Sequence, residues 1–243
     1  MKTPIHHLTT VDSTNSEARR RLDFGEPAPF WIVSDEQTDG RGRLGRHWVS
    51  KLGNLYSTYT FPFTVPLNTA SQISFVAALA IHDVASSFIT GADISLKWPN
   101  DCLIDGAKFS GILAEMHEGN MILGTGVNVL HEPDDLPYKA TSIAAHSAKV
   151  TVDQVFTMLQ LKLKKWLQIW DNAQGFQHIH RGWEARCNAI GKPMSLDTGR
   201  GLLHGTFVGL APDGGLVLNH NNTTTIHHAG DVRIIPVTEN STI

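Results

Sequence analysis

The sequence is poor in the patterns that mark disulfide-rich and zinc-binding proteins. It has only two cysteines, Cys102 and Cys187, which stand far apart and form no C-x-x-C pair. They match neither a disulfide framework nor a zinc ribbon, and a reducing cytoplasmic compartment fits this usage best. None of the 13 histidines lies in an H-E-x-x-H frame. We therefore predict no dedicated protein metal site.

Excess charge and long apolar runs are also missing. The formal net charge is only −3, so the protein as a whole has no electrostatic attraction for polyanions, and DNA is not expected as a partner. No uncharged apolar run reaches the thickness of a bilayer, and none follows Lys2 near the N-terminus. We expect neither a membrane span nor an export signal.

The residues that are present indicate an α+β protein with a mixed β-sheet flanked by helices. The 243 residues are 41% hydrophobic and 18% charged, as in ordinary globular proteins. Two capping boxes predict helix starts, with Thr14 and Thr151 as the N-cap residues. Hydrophobic periodicity and turn signals predict helices at 14–22, 69–88, 151–170 and 176–186, and strands at 30–34, 55–61, 94–97, 102–104, 108–116 and 121–129.

The pattern of predicted secondary structure changes near residue 190. Beyond this point short β runs alternate with turn signals such as Asp197-Thr198-Gly199 and Pro212-Asp213-Gly214-Gly215. This pattern is typical of a small barrel. We predict a main domain over residues 1–189 and a small C-terminal β-barrel over residues 190–243.

A glycine-rich and arginine-rich loop, Gly40-Arg41-Gly42-Arg43-Leu44-Gly45, satisfies the formula G-x-G-x-x-G. A dinucleotide-binding turn would need an acidic residue about 20 positions later, but residues 40–82 contain no Asp or Glu. A P-loop would need Lys followed by Ser or Thr where Arg46-His47 stands. Two interpretations remain, a solvated hairpin connection or a lid that folds over an anion. The apolar Trp48 after the basic run favours the lid.

Three other segments combine polar groups with local structure signals. Ser13-Thr14-Asn15 lies at a predicted helix N-terminus, where unpaired N–H groups could hold a polar ring, although a plain N-cap explains Thr14 equally. In Lys97-Trp98-Pro99-Asn100-Asp101 the proline aims Asn100 and Asp101 through a fixed turn, which ordinary turn chemistry also explains. Lys108 begins a strand in which Gly111 allows close approach, yet a lone lysine there is usually exposed and inert.

Taken together and in this order, the motifs resemble those of the biotin protein ligases. The resemblance covers residues 12 to about 235. The motifs that carry it are Asp12-Ser13-Thr14-Asn15, the stretch from Gln37 through Asp39 to Arg46, Lys97-Trp98-Pro99-Asn100-Asp101, Lys108-Phe109-Ser110-Gly111-Ile112-Leu113 and Gly124-Thr125-Gly126-Val127-Asn128.

The resemblance implies a fold like that of class II aminoacyl-tRNA synthetases and the biotin and lipoate ligases, in which the C-terminal barrel is SH3-like. It implies a cytoplasmic enzyme that uses ATP and Mg²⁺ to form biotinyl-5′-AMP and then biotinylates a lysine of a biotin carboxyl carrier domain. The implied catalytic residues are Lys108, Arg43 and Asp101. The implied biotin ligands are Ser13, Thr14, Asn15, Gln37, Gly40, Arg41, Gly42, Arg43, Lys108 and Gly111, and the implied ATP or adenylate ligands are Arg46, Trp48, Asn100, Asp101 and Asn128.

Two features depart from the family pattern or refine it. Asp39 puts a negative charge beside Arg41 where a small neutral residue is expected, which would alter the mobility of the lid. The first motif begins so early in the chain that we expect no N-terminal DNA-binding domain and hence a monofunctional enzyme, as a monomer or a homodimer. Two alternatives stay open, a lipoate or octanoate ligase or transferase of the same fold and a non-enzymatic RNA-binding module.

Overall fold

The computed structural model describes residues 3–134, 136–147, 149–221 and 223–235. It contains four α-helices and twelve β-strands in this part of the chain. The helices are α1 Thr14–Asp23, α2 Gln72–Phe88, α3 Val152–Trp170 and α4 Phe176–Glu184. The strands are β1 Ile5–Val11, β2 Phe30–Gln37, β3 Leu55–Pro62, β4 Ile94–Lys97, β5 Asp101–Ile104, β6 Ala107–His117, β7 Asn120–Val127, β8 Pro193–Asp197, β9 Leu202–Leu210, β10 Leu216–His220, β11 Thr223–His227 and β12 Asp231–Ile234.

The first seven strands form one mixed sheet in the order β1-β2-β3-β7-β6-β5-β4. β1 runs parallel to β2, and each of the other neighbouring pairs is antiparallel. The predicted hairpin is confirmed, since β6 and β7 pair from Ser110 opposite Val127 to His117 opposite Asn120. A two-residue turn joins them, and both of its residues have positive φ angles, Glu118 at 45° and Gly119 at 74°.

Helices α2, α3 and α4 cover one face of the sheet and bury its apolar side chains. The core includes Ile73, Phe109 and Trp183, all with at most 1% of their surface exposed. Two indole N–H groups join the helices, because Trp170 donates to Gln72 Oε1 at 2.8 Å and Trp166 donates to Asp83 Oδ2 at 3.0 Å. No helix in the described ranges is both long and apolar enough to cross a membrane.

The C-terminal segment forms a five-stranded antiparallel sheet in the order β11-β10-β9-β8-β12. Its buried residues, among them Leu196 and Phe207, belong to the same apolar cluster as the core of the main sheet. Trp98, at the end of β4, donates its indole N–H to Gly214 O at 3.2 Å. This sheet therefore packs directly on the turn after β4. The last eight residues of the predicted C-terminal domain lie outside the described residues.

The α+β class and the mixed sheet are confirmed, while several boundaries differ from the prediction. β1 was not predicted, because Ile5-His6-His7-Leu8-Thr9-Thr10-Val11 is too polar to read as a strand. The N-cap of α1 is Ser13 rather than Thr14, and it makes no side-chain capping bond. The capping box at Thr151 and Gln154 is confirmed. Helix α2 begins at Gln72 because 67–69 form a separate 3₁₀ turn.

Candidate active site

A cavity of about 880 Å³ opens between the main sheet, the loop after β2 and the C-terminal sheet. It brings together every side chain predicted for the site except Gly40 and Asn128. From the main sheet and its connections come Ser13, Thr14, Asn15, Gln37, Asn100, Asp101, Lys108 and Gly111, and from the loop come Arg41, Gly42, Arg43, Arg46 and Trp48. Elements distant in the chain thus build one cavity.

One end of the cavity is a buried polar cup formed at the N-terminus of α1. Gln37, at the end of β2, accepts two hydrogen bonds through Oε1, from the Thr14 N–H at 2.8 Å and from Thr14 Oγ1 at 3.1 Å. Its Nε2 donates to Ser50 Oγ at 2.9 Å, and Ser50 Oγ donates in turn to Trp48 O at 2.8 Å. These bonds fix which way the Gln37 amide points.

Asn15 is held from both sides of its amide. Its Nδ2 donates to Glu115 Oε2 at 2.8 Å, and its Oδ1 lies 2.7 Å from the hydroxyl of Thr58. The Thr58 Oγ1 is also 2.8 Å from Thr14 Oγ1, so this hydroxyl sits between two of the predicted ligands. Thr58 is fully buried on β3. Sequence reasoning missed it, because a threonine inside a strand carries no motif.

The cup depends on glycines that leave room for neighbouring side chains. A Cβ atom on Gly124 of β7 would overlap the side-chain amide of Asn15. A Cβ atom on Gly126 would lie 2.5 Å from the indole ring of Trp48, and one on Gly111 would lie 3.0 Å from the same ring. Trp48 therefore packs flat against β6 and β7 where these strands have no side chains.

The loop after β2, residues 40–48, is a small hairpin that we call the lid loop. Arg41 forms an isolated antiparallel bridge with His47, and Gly42 N donates to Arg46 O at 2.7 Å. Its tip turns at Leu44 and Gly45, which have φ angles of 57° and 71°. Gly40 does not line the cavity but lies where the loop closes, and a Cβ atom there would be 2.5 Å from Trp48 O.

The three arginines of the lid loop contact three different parts of the molecule. Arg41 donates to Ser16 Oγ on α1 at 2.9 Å. Arg43 donates to Asn100 Oδ1 in the turn before β5 at 3.4 Å. Arg46 pairs with Asp231 on β12. Burial lowers the pKa of the Arg43 guanidinium, whereas the hydrogen bond to Asp231 raises the pKa of Arg46.

Lys108 is half-buried and paired rather than free at the start of its strand. Its Nζ lies 2.5 Å from Asp101 Oδ1, and the Nζ of Lys97 lies 3.5 Å from the other carboxylate oxygen. The Lys108 Nζ is also 5.4 Å from the ring centroids of Trp48 and Tyr138. The Trp48 indole N–H is buried and has no hydrogen-bond partner among the described residues. This corner of the cavity therefore places the Lys108 cation beside the ring of Trp48, whose indole N–H is buried without a partner among the described residues.

The part of the cavity around Lys108 and the lid loop is strongly cationic. Its basic side chains are Arg41, Arg43, Arg46, Lys97, Lys108, Lys139, Lys192 and Arg233, against the carboxylates of Asp101 and Asp231. The whole chain, in contrast, carries a formal net charge of −3. Crowding like charges into a concave wall is costly unless an anion neutralises them. The arrangement is suited to a polyanionic ligand.

The two predicted asparagine ligands differ in what holds them. Asn100 lines the cavity, where its Nδ2 donates to Ile112 O at 2.7 Å and its Oδ1 faces Arg43. Asn128 has only 3% of its surface exposed, and its Nδ2 donates to Thr141 O at 3.0 Å. It lines a smaller pocket behind Trp48 and Lys108 instead of the main cavity.

Comparisons with known proteins agree over nearly the whole chain. Residues 8–134 match the biotin/lipoate A/B protein ligase family. The biotin–[acetyl-CoA-carboxylase] ligase of Paracoccus denitrificans is 34% identical over 226 residues, which are 87% of this chain and 92% of that protein. The bifunctional ligase/repressor of Bacillus subtilis is 29% identical over 242 residues, which are 95% of this chain and 73% of that protein.

Similarity to solved structures extends through the C-terminal sheet. The biotin protein ligase from Aquifex aeolicus in complex with biotin and ATP superposes with a TM-score of 0.84 at 27% sequence identity. The match covers 96% of this chain and 100% of the Aquifex chain. Both sheets and the cavity between them therefore lie within the region of structural similarity.

Proposed function

We propose which residues of this chain act in each step of its reaction. The chain belongs to the biotin/lipoate A/B protein ligase family and is a biotin protein ligase that forms biotinyl-AMP from biotin and ATP. The observation that carries the assignment is the division of the cavity. A buried, hydrogen-bonded cup lies at one end, and an excess of cations lies at the other.

The cup is assigned to the ureido ring of biotin, which has one carbonyl acceptor and two N–H donors. The Ser13 hydroxyl lines the cavity and makes no capping bond to its helix, so it is available to the ring. Gln37 Nε2 has a second hydrogen, and Asn15 Oδ1 has a second lone pair beyond the one facing Thr58. These groups, with Thr14, supply both donors and acceptors, which suits a ring that needs both.

The cationic end is assigned to ATP and to the biotin carboxylate. That carboxylate attacks the α-phosphorus, the new bond joins its oxygen to phosphorus, and pyrophosphate leaves with the electron pair of the bond that breaks. Arg43 and Lys108 stabilise the negative charge that develops on the phosphoryl oxygens. Arg41, Gly42, Arg46 and Trp48 close over biotin and the nucleotide and exclude water, with Asn100 beside the adenylate. Asn128 faces away from this cavity and is not assigned to the adenylate.

Magnesium fits this site as part of the nucleotide substrate rather than as a resident ion. The two carboxylates that line the described cavity, Asp101 and Asp231, are already paired with Lys108 and Arg46. Mg²⁺ is commonly held through substrate phosphates with few protein ligands. It would then neutralise part of the triphosphate charge that the lysines and arginines face.

The second step is assigned to transfer onto a lysine of a biotin carboxyl carrier domain. The neutral amine of that lysine attacks the acyl carbon, an amide bond forms, and AMP leaves with the electrons of the broken acyl–oxygen bond. Asp101 lines the cavity next to Lys108 and is the group that takes up the amine proton or orients the amine.

Incubation with biotin, Mg-ATP and a biotin carboxyl carrier domain tests the whole assignment. We expect a mass increase on the acceptor equal to one biotinyl group at a single lysine, and an acceptor that stays unmodified would contradict the proposed partner. Lipoate in place of biotin is the matched control, because the family also includes lipoate ligases. Thermal stabilisation by biotin and not by lipoate is the expected result, since a bound ligand raises the unfolding temperature.

A further inference from the structure

One strand of the C-terminal sheet reaches into the cavity. β12 contributes Asp231 and Arg233 to its wall, and Asp231 is the carboxylate that pairs with Arg46 of the lid loop. Asp231 stands far from every motif of the main sheet in the sequence, and a lone aspartate in a short strand gives no signal of its own. The pair is a direct polar link between the C-terminal sheet and the lid loop.

Arg46 lies at a position where a contact with another part of the protein restricts the movement of the lid loop. It follows Gly45, at the end of the tight turn at the loop's tip, and its backbone carbonyl closes the hairpin onto Gly42. The hydrogen bond that Arg46 donates to Asp231 raises the pKa of Arg46. The pair therefore ties a charged arginine of the lid loop to the C-terminal sheet.

We propose that Asp231 is a positioning residue that holds the lid loop closed over biotinyl-AMP through Arg46. The inference rests on the proposed function of the same cavity and adds a residue of the C-terminal sheet to it. A guanidinium has five N–H donors. Asp231 engages Arg46 through one terminal nitrogen, so other donors of Arg46 remain for the phosphate. The tether and the ligand thus use different edges of one side chain.

The opposite effect of Asp231 is physically conceivable, because its carboxylate could compete with the phosphate for Arg46. The surplus of cations argues against competition, since one carboxylate engages few of the donors around the cavity. The two models make opposite predictions for the rate at which the intermediate escapes.

The experiment measures the dissociation rate of biotinyl-AMP from the whole enzyme after its formation from biotin and Mg-ATP. Water screens the partly exposed ion pair between Asp231 and Arg46, which limits its contribution to retention. Asp231→Asn should therefore raise the dissociation rate of biotinyl-AMP by about two- to fivefold. Asp231→Glu should restore slow escape. Asp197→Asn is the matched control, because Asp197 lies opposite Asp231 on β8 and outside the cavity wall, and it should behave as wild type.

A double substitution separates positioning from a general structural effect. Arg46→Ala alone should speed escape, and adding Asp231→Asn to it should cause no further change, because Asp231 acts through Arg46. Additive effects of the two changes, or slower escape from Asp231→Asn, would overturn the proposal. If wild type and Asp197→Asn form no biotinyl-AMP, the proposed function itself fails, whereas equal escape rates in all variants remove only the role of Asp231.

Discussion

The two ends of the cavity differ in the kind of group that lines them. The cup at the tip of α1 presents neutral groups to the cavity, and the amides of Gln37 and Asn15 are each held by at least two hydrogen bonds. The end under the lid loop is built from cations that outnumber their carboxylate partners, and the buried indole N–H of Trp48 is unpaired among the described residues. The hydrogen bonds that orient the first end are formed without a ligand, whereas the cations of the second end are neutralised by one.

This difference indicates how binding and chemistry are divided. A closed hydrogen-bond network holds its donors and acceptors in place before the ligand arrives, which favours specific recognition of a polar ring. A cluster of partly buried cations is stabilised only when negative charge enters, so it acts most strongly where charge develops during the reaction. The substitutions below test this division, beginning with the largest expected effect.

Lys108→Ala should reduce the rate of adenylation at the cationic end more than any other substitution in this series. The amine is the cation closest to Asp101 and lies beside Trp48, where the carboxylate and the α-phosphate are expected to meet. We expect biotin-dependent release of pyrophosphate to fall at least about 100-fold, the cost of removing one preorganised donor. Lys164→Ala, on the exposed face of α3, controls for loss of a surface charge. An unchanged rate of pyrophosphate release in Lys108→Ala would remove Lys108 from the chemistry.

Asp101→Asn should separate the two half-reactions at the same end. The amide cannot accept a proton from the acceptor lysine, so transfer from preformed biotinyl-AMP should fall by about 10²-fold, the low end for loss of a general base. Adenylation should fall less, because Lys108 remains and loses only its ion-pair partner. Single-turnover measurements of each step report both rates, and equal losses in the two steps would contradict the assignment.

Thr58→Val should damage the cup and spare the cationic end. The change keeps the shape of the side chain but removes the hydroxyl that lies against Asn15 Oδ1 and Thr14 Oγ1. Leaving buried acceptors unpaired costs about 1–3 kcal/mol, so the Kd for biotin should rise about tenfold or more while the KM for ATP is unchanged. Thr58→Ser, which keeps the hydroxyl, should restore the Kd. A parallel rise in the KM for ATP would show that the two ends are not independent.

Arg43→Gly tests retention of the intermediate, for which the expected effect is the smallest of this series. Arg43 spans from the lid loop to Asn100, so its loss loosens the loop without removing Lys108. Escape of biotinyl-AMP into solvent should rise about fivefold, the equivalent of one long hydrogen bond worth about 1 kcal/mol. The intermediate released over time is measured by its reaction with free amines. A leak equal to that of wild type would count against the lid.

The parts of the site predictable from sequence are those in which a residue type and a local signal coincide. Glycines alternating with arginines, a proline that fixes a turn, and three small polar residues at a helix start all restrict the local chemistry, and the structure brings these segments to one cavity. The α+β class followed from periodicity, because the apolar stripe of α2 is long and regular. In these segments the local secondary-structure preference and the local side-chain chemistry are both consistent with the observed fold.

The remaining parts depend on packing between distant segments. Thr58 and Glu115 become partners of Asn15 only when β3 and β6 lie beneath α1. Asp231 meets Arg46 only because the C-terminal sheet packs beside the lid loop. Thr14 was predicted as an N-cap, but its hydroxyl bonds to Gln37 and Ser13 takes the N-cap position. In each case a tertiary contact overrides or adds to a local preference. A single sequence does not show which distant residues come into contact.

Salt dependence of binding tests the division of the cavity most directly. Biotinol, the uncharged alcohol of biotin, probes the cup, and Mg-ATP probes the cationic end, each titrated over a range of sodium chloride from low to high ionic strength. Charge interactions are screened by salt and hydrogen bonds between neutral groups are not. We predict that the Kd for Mg-ATP rises at least about tenfold across a range in which the Debye length falls from about 30 to about 3 Å, while the Kd for biotinol stays nearly constant. Equal salt dependence of the two ligands would contradict the account.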